Sequence, residues 1–444
     1  MRTFNLGIAV GLFFGLNLAL TPTLGPTGGG LALVATIAWL WMTEALHVSV
    51  TAVLVPLLAA VSGVLPFHAA LAQFADPVIF LFLGGFALAA GLQQQGLDRW
   101  MAAQVIRRAG HRLDRAARWL FGLTAFLSMW ISNTATAAMM LPLALGLLAA
   151  LPIERHRPAY LYVLLGVAFS ANIGGIGTLV GSPPNAIAAA QVGLGFAGWL
   201  VWGLPLVLVL MPLMEIALRV ALKPDLSVEV ELPPEQATWR APQKRMLAVF
   251  GTTVLLWVFG TPINAWLAMG RGYDAAVAVL ALVMLHALRL TEWKAVERGT
   301  EWGVLLLFGG GLTLSRALSE SGAAAWLAAQ LGDPLATLPA FACLGLMILF
   351  ALLITELTSN TASAALLVPL FIGLAPQIDA TPVAVLVAVG TSCAFLLPVA
   401  TPPNAIVFGS GLVPQRQMIR AGLWVSVLVY PVLVAVGALV LSMV

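Results

Sequence analysis

The sequence predicts an all-α polytopic membrane protein built from two inverted copies of one helical unit. Three observations carry that expectation: long apolar segments with little charge, basic residues gathered in a few loops, and polar motifs that occur twice. The chain has 444 residues, 61% hydrophobic and only 9% charged, where a soluble domain usually carries about 25% charge. Apolar segments follow one another from Leu6 to Val444. Cut to the roughly 20 residues that cross a ~30 Å hydrocarbon core, they give about nine full spans and two stretches of awkward length. Backbone in lipid must satisfy its own hydrogen bonds, so the spans are helices. The strands of a barrel would alternate apolar and polar residues over ~10-residue stretches, and these segments do not.

Residues 1–64 read as N-terminal scaffold helices. The first apolar run, Leu6 to Leu20, lacks a small-residue cleavage site and is expected to be a membrane segment rather than a signal peptide. A first repeat is expected over 65–222 with a hairpin at 119–151, then a cytoplasmic linker at 223–244, then a second repeat over 245–444 with a hairpin at 338–375. Basic residues fall into groups: Arg99, Arg107, Arg108, Arg112, Arg115 and Arg118; Arg155 and Arg157; Arg219, Lys223, Arg240, Lys244 and Arg245 around the linker; Arg289, Lys294 and Arg298; Arg416 and Arg420. The turns near Pro22–Gly30, Val192–Gly195, Asp333–Pro339 and Gln377–Pro382 carry none. The positive-inside rule makes the basic groups cytoplasmic, with the N-terminus inside and the C-terminus outside an inner membrane. The arginine-rich stretch reads as an interfacial amphipathic helix on anionic lipid, so the bilayer is the expected partner and nucleic acid is not. Cys343 and Cys393 lie in apolar runs and read as small hydrophobes.

The duplication is visible as three matched blocks. Gly84-Gly85-Phe86 through Gln104 recurs as Gly310-Gly311-Leu312 through Gln330, pairing Gly96 with Gly322 and Trp100 with Trp326. Ser132-Asn133-Thr134-Ala135 recurs as Ser359-Asn360-Thr361-Ala362, with Pro142 and Pro369 downstream. Ser182-Pro183-Pro184-Asn185 recurs as Thr401-Pro402-Pro403-Asn404. The loop assignment sends Gly84 inward and Gly310 outward, so the copies are inverted. Inverted repeats with interrupted helices mark secondary transporters, with the site at the repeat interface near the midplane.

The stretch from Leu120 to Leu151 would be roughly 48 Å as one helix at 1.5 Å per residue, too long for one span and too short for two. It and its copy, Leu338 to Ala375, are expected to be re-entrant hairpins with the Ser-Asn-Thr triplets at their tips. Unwound backbone at that depth needs cover from protein or an aqueous cavity. Ser182 and Thr401, each followed by proline, read as N-caps with Pro at the first helical position, and Ser132 or Asn133 and Ser359 or Asn360 can cap the outgoing hairpin limbs. Four helix N-termini then converge, presenting free N–H groups and partial positive charge to an anion. The apolar runs hold no lysine, and no arginine except Arg316. A dianion would therefore draw compensating charge from Na⁺ ions held by hydroxyl, Asn and carbonyl oxygens. Interhelical hydrogen bonding would explain one isolated triplet, but two inverted copies with paired Pro-Pro-Asn breaks favour a site.

Three acids lie within or beside apolar runs, and an intramembrane acid is a functional candidate by default. Glu356, with Met129 as its counterpart, has an ion or proton role to set against structural hydrogen bonding; Glu44 reads as structural and Glu215 as near the cytoplasmic surface. His68, His111, His156 and His286 show no ligand spacing, and no nucleophile–base pair or nucleotide loop is present, so no enzyme is expected.

The paired Ser-Asn-Thr triplets, each followed by Ser/Thr-Pro-Pro-Asn, resemble those of the divalent anion/sodium symporter family, from about Leu31 to Val444. The resemblance implies a homodimer of eleven-helix protomers with two hairpins, moving dicarboxylates such as succinate, malate or fumarate, or citrate or sulfate, by an elevator-type movement. It also implies a first sodium site at Ser128, Ser132, Asn133 and Gly181 and a second at Thr355, Thr358, Asn360 and Ala400, two or more ions being co-transported. Substrate carboxylates would meet Asn133, Thr134, Ser182, Asn360, Thr361, Thr401 and Pro402. Ser182 stands where threonine is common, and Thr358 adds a hydroxyl beside the second triplet.

Overall fold

The computed structural model describes residues 2–229, 240–336 and 338–443. The middle of the expected linker, 230–239, lies outside the described residues. In chain order the helices begin with α1 (Arg2–Leu24), α2 (Pro26–Thr43), α3 (Val48–Val61) and a short α4 (Phe67–Leu71). The next set is α5 (Pro77–Gln94), α6 (Leu97–Ala109), α7 (Leu113–Ser128), α8 (Asn133–Leu148), α9 (Ile153–Gly175), α10 (Pro183–Val192) and α11 (Phe196–Leu222). Beyond the linker come α12 (Ala241–Phe259), α13 (Thr261–Leu267), α14 (Tyr273–Ala287) and α15 (Trp293–Gly299). The last set is α16 (Trp302–Glu320), α17 (Ala323–Ala336), α18 (Ala340–Thr355), α19 (Asn360–Leu374), α20 (Ala380–Ser392), α21 (Pro402–Gly409) and α22 (Gln415–Leu441). Helix by helix, α16 to α22 repeat the order and break points of α5 to α11.

Among the described residues, seven helices are long and apolar enough to cross a membrane, or eight if the pair α12–α13, bent by 77°, counts as one span. That is fewer than the expected eleven for a physical reason. The polar blocks cut several spans into apolar helices of 10–17 residues, among them α8, α18, α19 and α20, and α3 is also of that length. The awkward stretches of the sequence are these interrupted elements. Helices α7 and α8 pack on each other and are joined through 129–132, and α18 and α19 are joined in the same way through 356–359. The first arm begins at Leu113, where its amide donates to the Val228 carbonyl at 3.0 Å and ties the start of the linker to the hairpin.

The two copies exchange partners. Helix α10 packs on α19 and α20 of the second copy, and α21 packs on α8 and α9 of the first. Likewise α14 lies along α5, α3 along α16, and the long α11 along α22. A ten-residue helix such as α10 spans only about 15 Å and cannot bury its apolar face within its own copy. Each short helix therefore completes the other copy, and the tips that follow the breaks are drawn together. Cys343 and Cys393 are buried and free, as small apolar side chains.

Candidate transport site

Each hairpin tip is built the same way. Ser132 caps α8, its Oγ accepting from the Ala135 amide at 3.4 Å, and Ser359 occupies the N-cap of α19 with no side-chain cap bond. Asn133 and Asn360 follow as the first helical residues. Behind Asn133, the buried Ser128 hydroxyl lies 2.7 Å from Asn133 Oδ1 and 2.7 Å from the Ala171 carbonyl. Behind Asn360, the buried Thr355 hydroxyl lies 2.7 Å from Asn360 Oδ1 and 2.6 Å from the Thr391 carbonyl. A hydroxyl carries one hydrogen, so at each place three oxygens share one donor. That surplus of hard oxygen lone pairs is the donor set a small cation takes. At the first tip a Cβ added to Gly181 would sit 2.6 Å from the Gly175 carbonyl, 3.0 Å from that of Ser128 and 3.1 Å from that of Met129. Gly181 thus borders a cradle of carbonyl oxygens, and a Cβ on Gly175 would strike the Asn133 amide. The residues present fit Na⁺ at both places.

The unwound segments between α9 and α10, and between α20 and α21, are held by the asparagines of the Pro-Pro-Asn motifs. Asn185 Nδ2 donates to the carbonyls of Gly175 at 2.8 Å and Thr178 at 2.7 Å. Asn404 Nδ2 donates to those of Ala394 at 3.2 Å and Leu397 at 3.1 Å. Thr401 caps α21, accepting from the Asn404 amide at 3.3 Å, and also accepts from Asn172 Nδ2 at 3.0 Å. Ser182 holds the N-cap of α10 in extended conformation with no cap bond, which leaves its hydroxyl for other partners. Glu356 holds backbone of the same second-copy break. Its carboxylate accepts from the amides of Phe395 at 2.7 Å, Leu396 at 3.0 and 3.1 Å, and Leu397 at 3.2 Å. In the first copy, where Met129 replaces it, the Thr178 hydroxyl donates to the Met129 carbonyl instead.

These elements enclose one cavity of about 440 Å³. Ser132, Asn133, Thr134, Gly181 and Ser182 line it from the first copy, and Thr358, Asn360, Thr361, Ala400 and Pro402 from the second. Ser128, Thr355 and Thr401 are not on its wall; they lie buried behind it and act on it through Asn133, Asn360 and the start of α21. The Thr358 hydroxyl is already engaged, donating to the Ile354 carbonyl at 3.0 Å and lying 2.6 Å from Ser363 Oγ. Sequence reasoning missed Phe82, Phe86, Val304 and Glu301, which also line the cavity, and took Glu44 as structural although it faces the same space. Only proline spacing and the triplets gave a local signal; these others arrive from distant helices. Among the described residues, no lysine or arginine lines the cavity. Arg316 is away from it, paired with Glu320 at 2.7 Å. Glu215 lies in a surface cluster with Arg118 at 3.2 Å and Arg219 at 2.5 Å. A second cavity of about 460 Å³, beside Asp76, Arg271 and Asp274, contains none of the motif residues.

A family model described as citrate transporter matches residues 38–390. The chain belongs to this citrate-transporter family. An uncharacterized transporter of Haemophilus influenzae is 46% identical over 436 residues, covering 96% of this chain and 94% of that one. The sodium-dependent dicarboxylate transporter SdcS of Staphylococcus saprophyticus is 33% identical over 480 residues, covering 98% of this chain and 92% of its own. The SdcS of Staphylococcus aureus is 30% identical over 436 residues, covering 90% and 83%. The crystal structure of the Alcanivorax borkumensis YdaH transporter, described as having an unusual topology, superposes with a TM-score of 0.60 at 15% identity, over 84% of this chain and 87% of that one. That last likeness concerns the fold. Together they make this citrate-transporter family member a membrane transporter of the divalent anion/sodium symporter type.

Proposed function

We propose that this chain is a sodium-coupled symporter of small dianions, C4-dicarboxylates such as succinate, malate and fumarate, using an elevator-type movement. The observation that carries this reading is a cavity lined by both Ser-Asn-Thr tips and both Pro-Pro-Asn helix starts, with no basic side chain on its wall among the described residues. The first amides of α8 and α19 can donate to carboxylates, the dipole ends of α10 and α21 add partial positive charge although their opening prolines carry no N–H, and the Asn133, Thr134, Ser182, Asn360 and Thr361 side chains give donors. Two full negative charges need more than dipoles. The oxygen sets around Ser128 with Asn133 and around Thr355 with Asn360 suit cations that travel with the anion and supply that charge. Thr358 and Ala400 border the second set, and Ser132 and Gly181 the first.

The protein would work as a homodimer in the cell inner membrane, N-terminus cytoplasmic and C-terminus external, and the two copies would be inverted about the midplane. A proton antiporter of similar build would need a carboxylate free to load and unload. Glu356 does not suit that task, since three backbone amides already occupy its oxygens. The test is uptake of radiolabelled succinate into proteoliposomes under an inward Na⁺ gradient. Uptake is expected with Na⁺ and not with choline, and it should disappear in Asn133→Ala and Asn360→Ala. Uptake without Na⁺ that requires internal dicarboxylate would replace symport by exchange.

A further inference from the structure

Two carboxylates face the cavity just described. Glu301 is the residue before α16, and it lines the cavity together with Ser132 of the first hairpin tip. Glu44 stands at the end of α2 in left-handed backbone conformation, φ 47°, and lines the same space. Neither takes part in an ion pair among the described residues. A wall with two unpaired acids and no lysine or arginine is an unusual setting for an anion. Its consequence depends on the charge that the anion brings.

We propose that Glu44 and Glu301 set the charge of the accepted anion, admitting dicarboxylates and rejecting fully ionised tricarboxylates, given that the cavity is the anion site of the symporter proposed above. Two cation sets carry two positive charges, which balance a dianion. A third carboxylate on the cargo has no cation left to meet and lies in a cavity that already holds two negative groups. Like charges that share one partly desolvated cavity repel strongly enough to change affinity about tenfold or more. Size does not produce the same exclusion. About 440 Å³ lies within the range of ~300–1,000 Å³ that accommodates drug-sized ligands, and a six-carbon tricarboxylate is smaller than those.

The test separates charge from size with tricarballylate and its monoamide, which share a shape and differ by one negative charge. Each competes against Na⁺-dependent succinate uptake in proteoliposomes, at a pH where all carboxyls are ionised. In the wild type the monoamide should inhibit at least tenfold more strongly than the tri-acid. Glu301→Gln and Glu44→Gln, which keep the side-chain shape and remove the charge, should each narrow that ratio, and the double variant should bring it near one. Thermal shifts of the purified proteins with the same two compounds, with and without Na⁺, should follow the same ratios and do not depend on transport. Equal potency of the two compounds on the wild type, or a ratio unchanged in the variants, would overturn the proposal. Wild-type protein that shows no Na⁺-dependent succinate uptake would overturn the symport reading and this proposal with it. If one single variant does not fold, the ratio measured on the other still decides.

Discussion

Ser128 and Thr355 show how one hydroxyl can define an ion site. Each lies within 2.7 Å of an asparagine oxygen and of a main-chain carbonyl, and its single hydrogen can satisfy only one of them at a time. Replacing Ser128 with Ala or Thr355 with Val deletes one oxygen from the set and leaves a buried carbonyl short of a donor. The expected outcome is an apparent Na⁺ affinity about tenfold weaker, corresponding to ~1.4 kcal/mol, with the succinate KM at saturating Na⁺ close to wild type. A Na⁺ titration of uptake checks it; an unchanged half-saturation would remove these residues from the ion sites. Gly181→Ala tests the same cradle by crowding it, since the added methyl would lie 2.6 Å from the Gly175 carbonyl. Its Na⁺ affinity should also fall, without any loss of a ligand side chain.

At the level of elements, the informative features are the breaks. A helix that stops in the middle of a membrane leaves carbonyls and amides unpaired, and each unsatisfied buried group costs about 1–3 kcal/mol. Asn185, Asn404 and Glu356 meet those demands from side chains. Asn185→Ala would strand the carbonyls of Gly175 and Thr178, so a melting temperature lower by several degrees and loss of uptake are expected. Glu356→Gln would turn an amide NH₂ toward the backbone N–H groups of 395–397. It should lower thermal stability, as read by a detergent-solubilised melting curve, and the remaining transport should keep its Na⁺ dependence. Transport that becomes independent of a proton gradient only in this variant would instead assign Glu356 a coupling role.

For the whole molecule, the exchange of α10 and α21 between copies makes the two halves of the site one mechanical unit. Ligands that bridge the halves should therefore stabilise the whole fold rather than one hairpin. Binding at a hundred times the dissociation constant stabilises by about 2.7 kcal/mol. The purified protein should melt several degrees higher in Na⁺ with succinate than in choline with succinate, and removing Na⁺ should cancel most of the benefit. Equal melting curves in the two salts would contradict the coupling of cation and anion in one cavity.

Much of this architecture was legible before any coordinates, because it is local. Serine or threonine before proline sets a helix start through backbone geometry and a missing N–H, and α10 and α21 begin after Ser182 and Thr401 as that pattern predicts, while α8 and α19 begin after Ser132 and Ser359, the caps that the triplets offered. Apolar length marked the stretches that could not be simple spans, and the repeat marked which motifs correspond. The sequence by itself thus determined a helical membrane protein with doubled, interrupted segments. What only the tertiary structure decided is which oxygens meet. The carbonyls of Ala171 and Thr391 that face Ser128 and Thr355, the amides that engage Glu356, and the approach of Glu44 and Glu301 to the hairpin tips join positions far apart in the chain. No spacing rule encodes such contacts, because they depend on how short, incomplete helices find cover in the opposite copy.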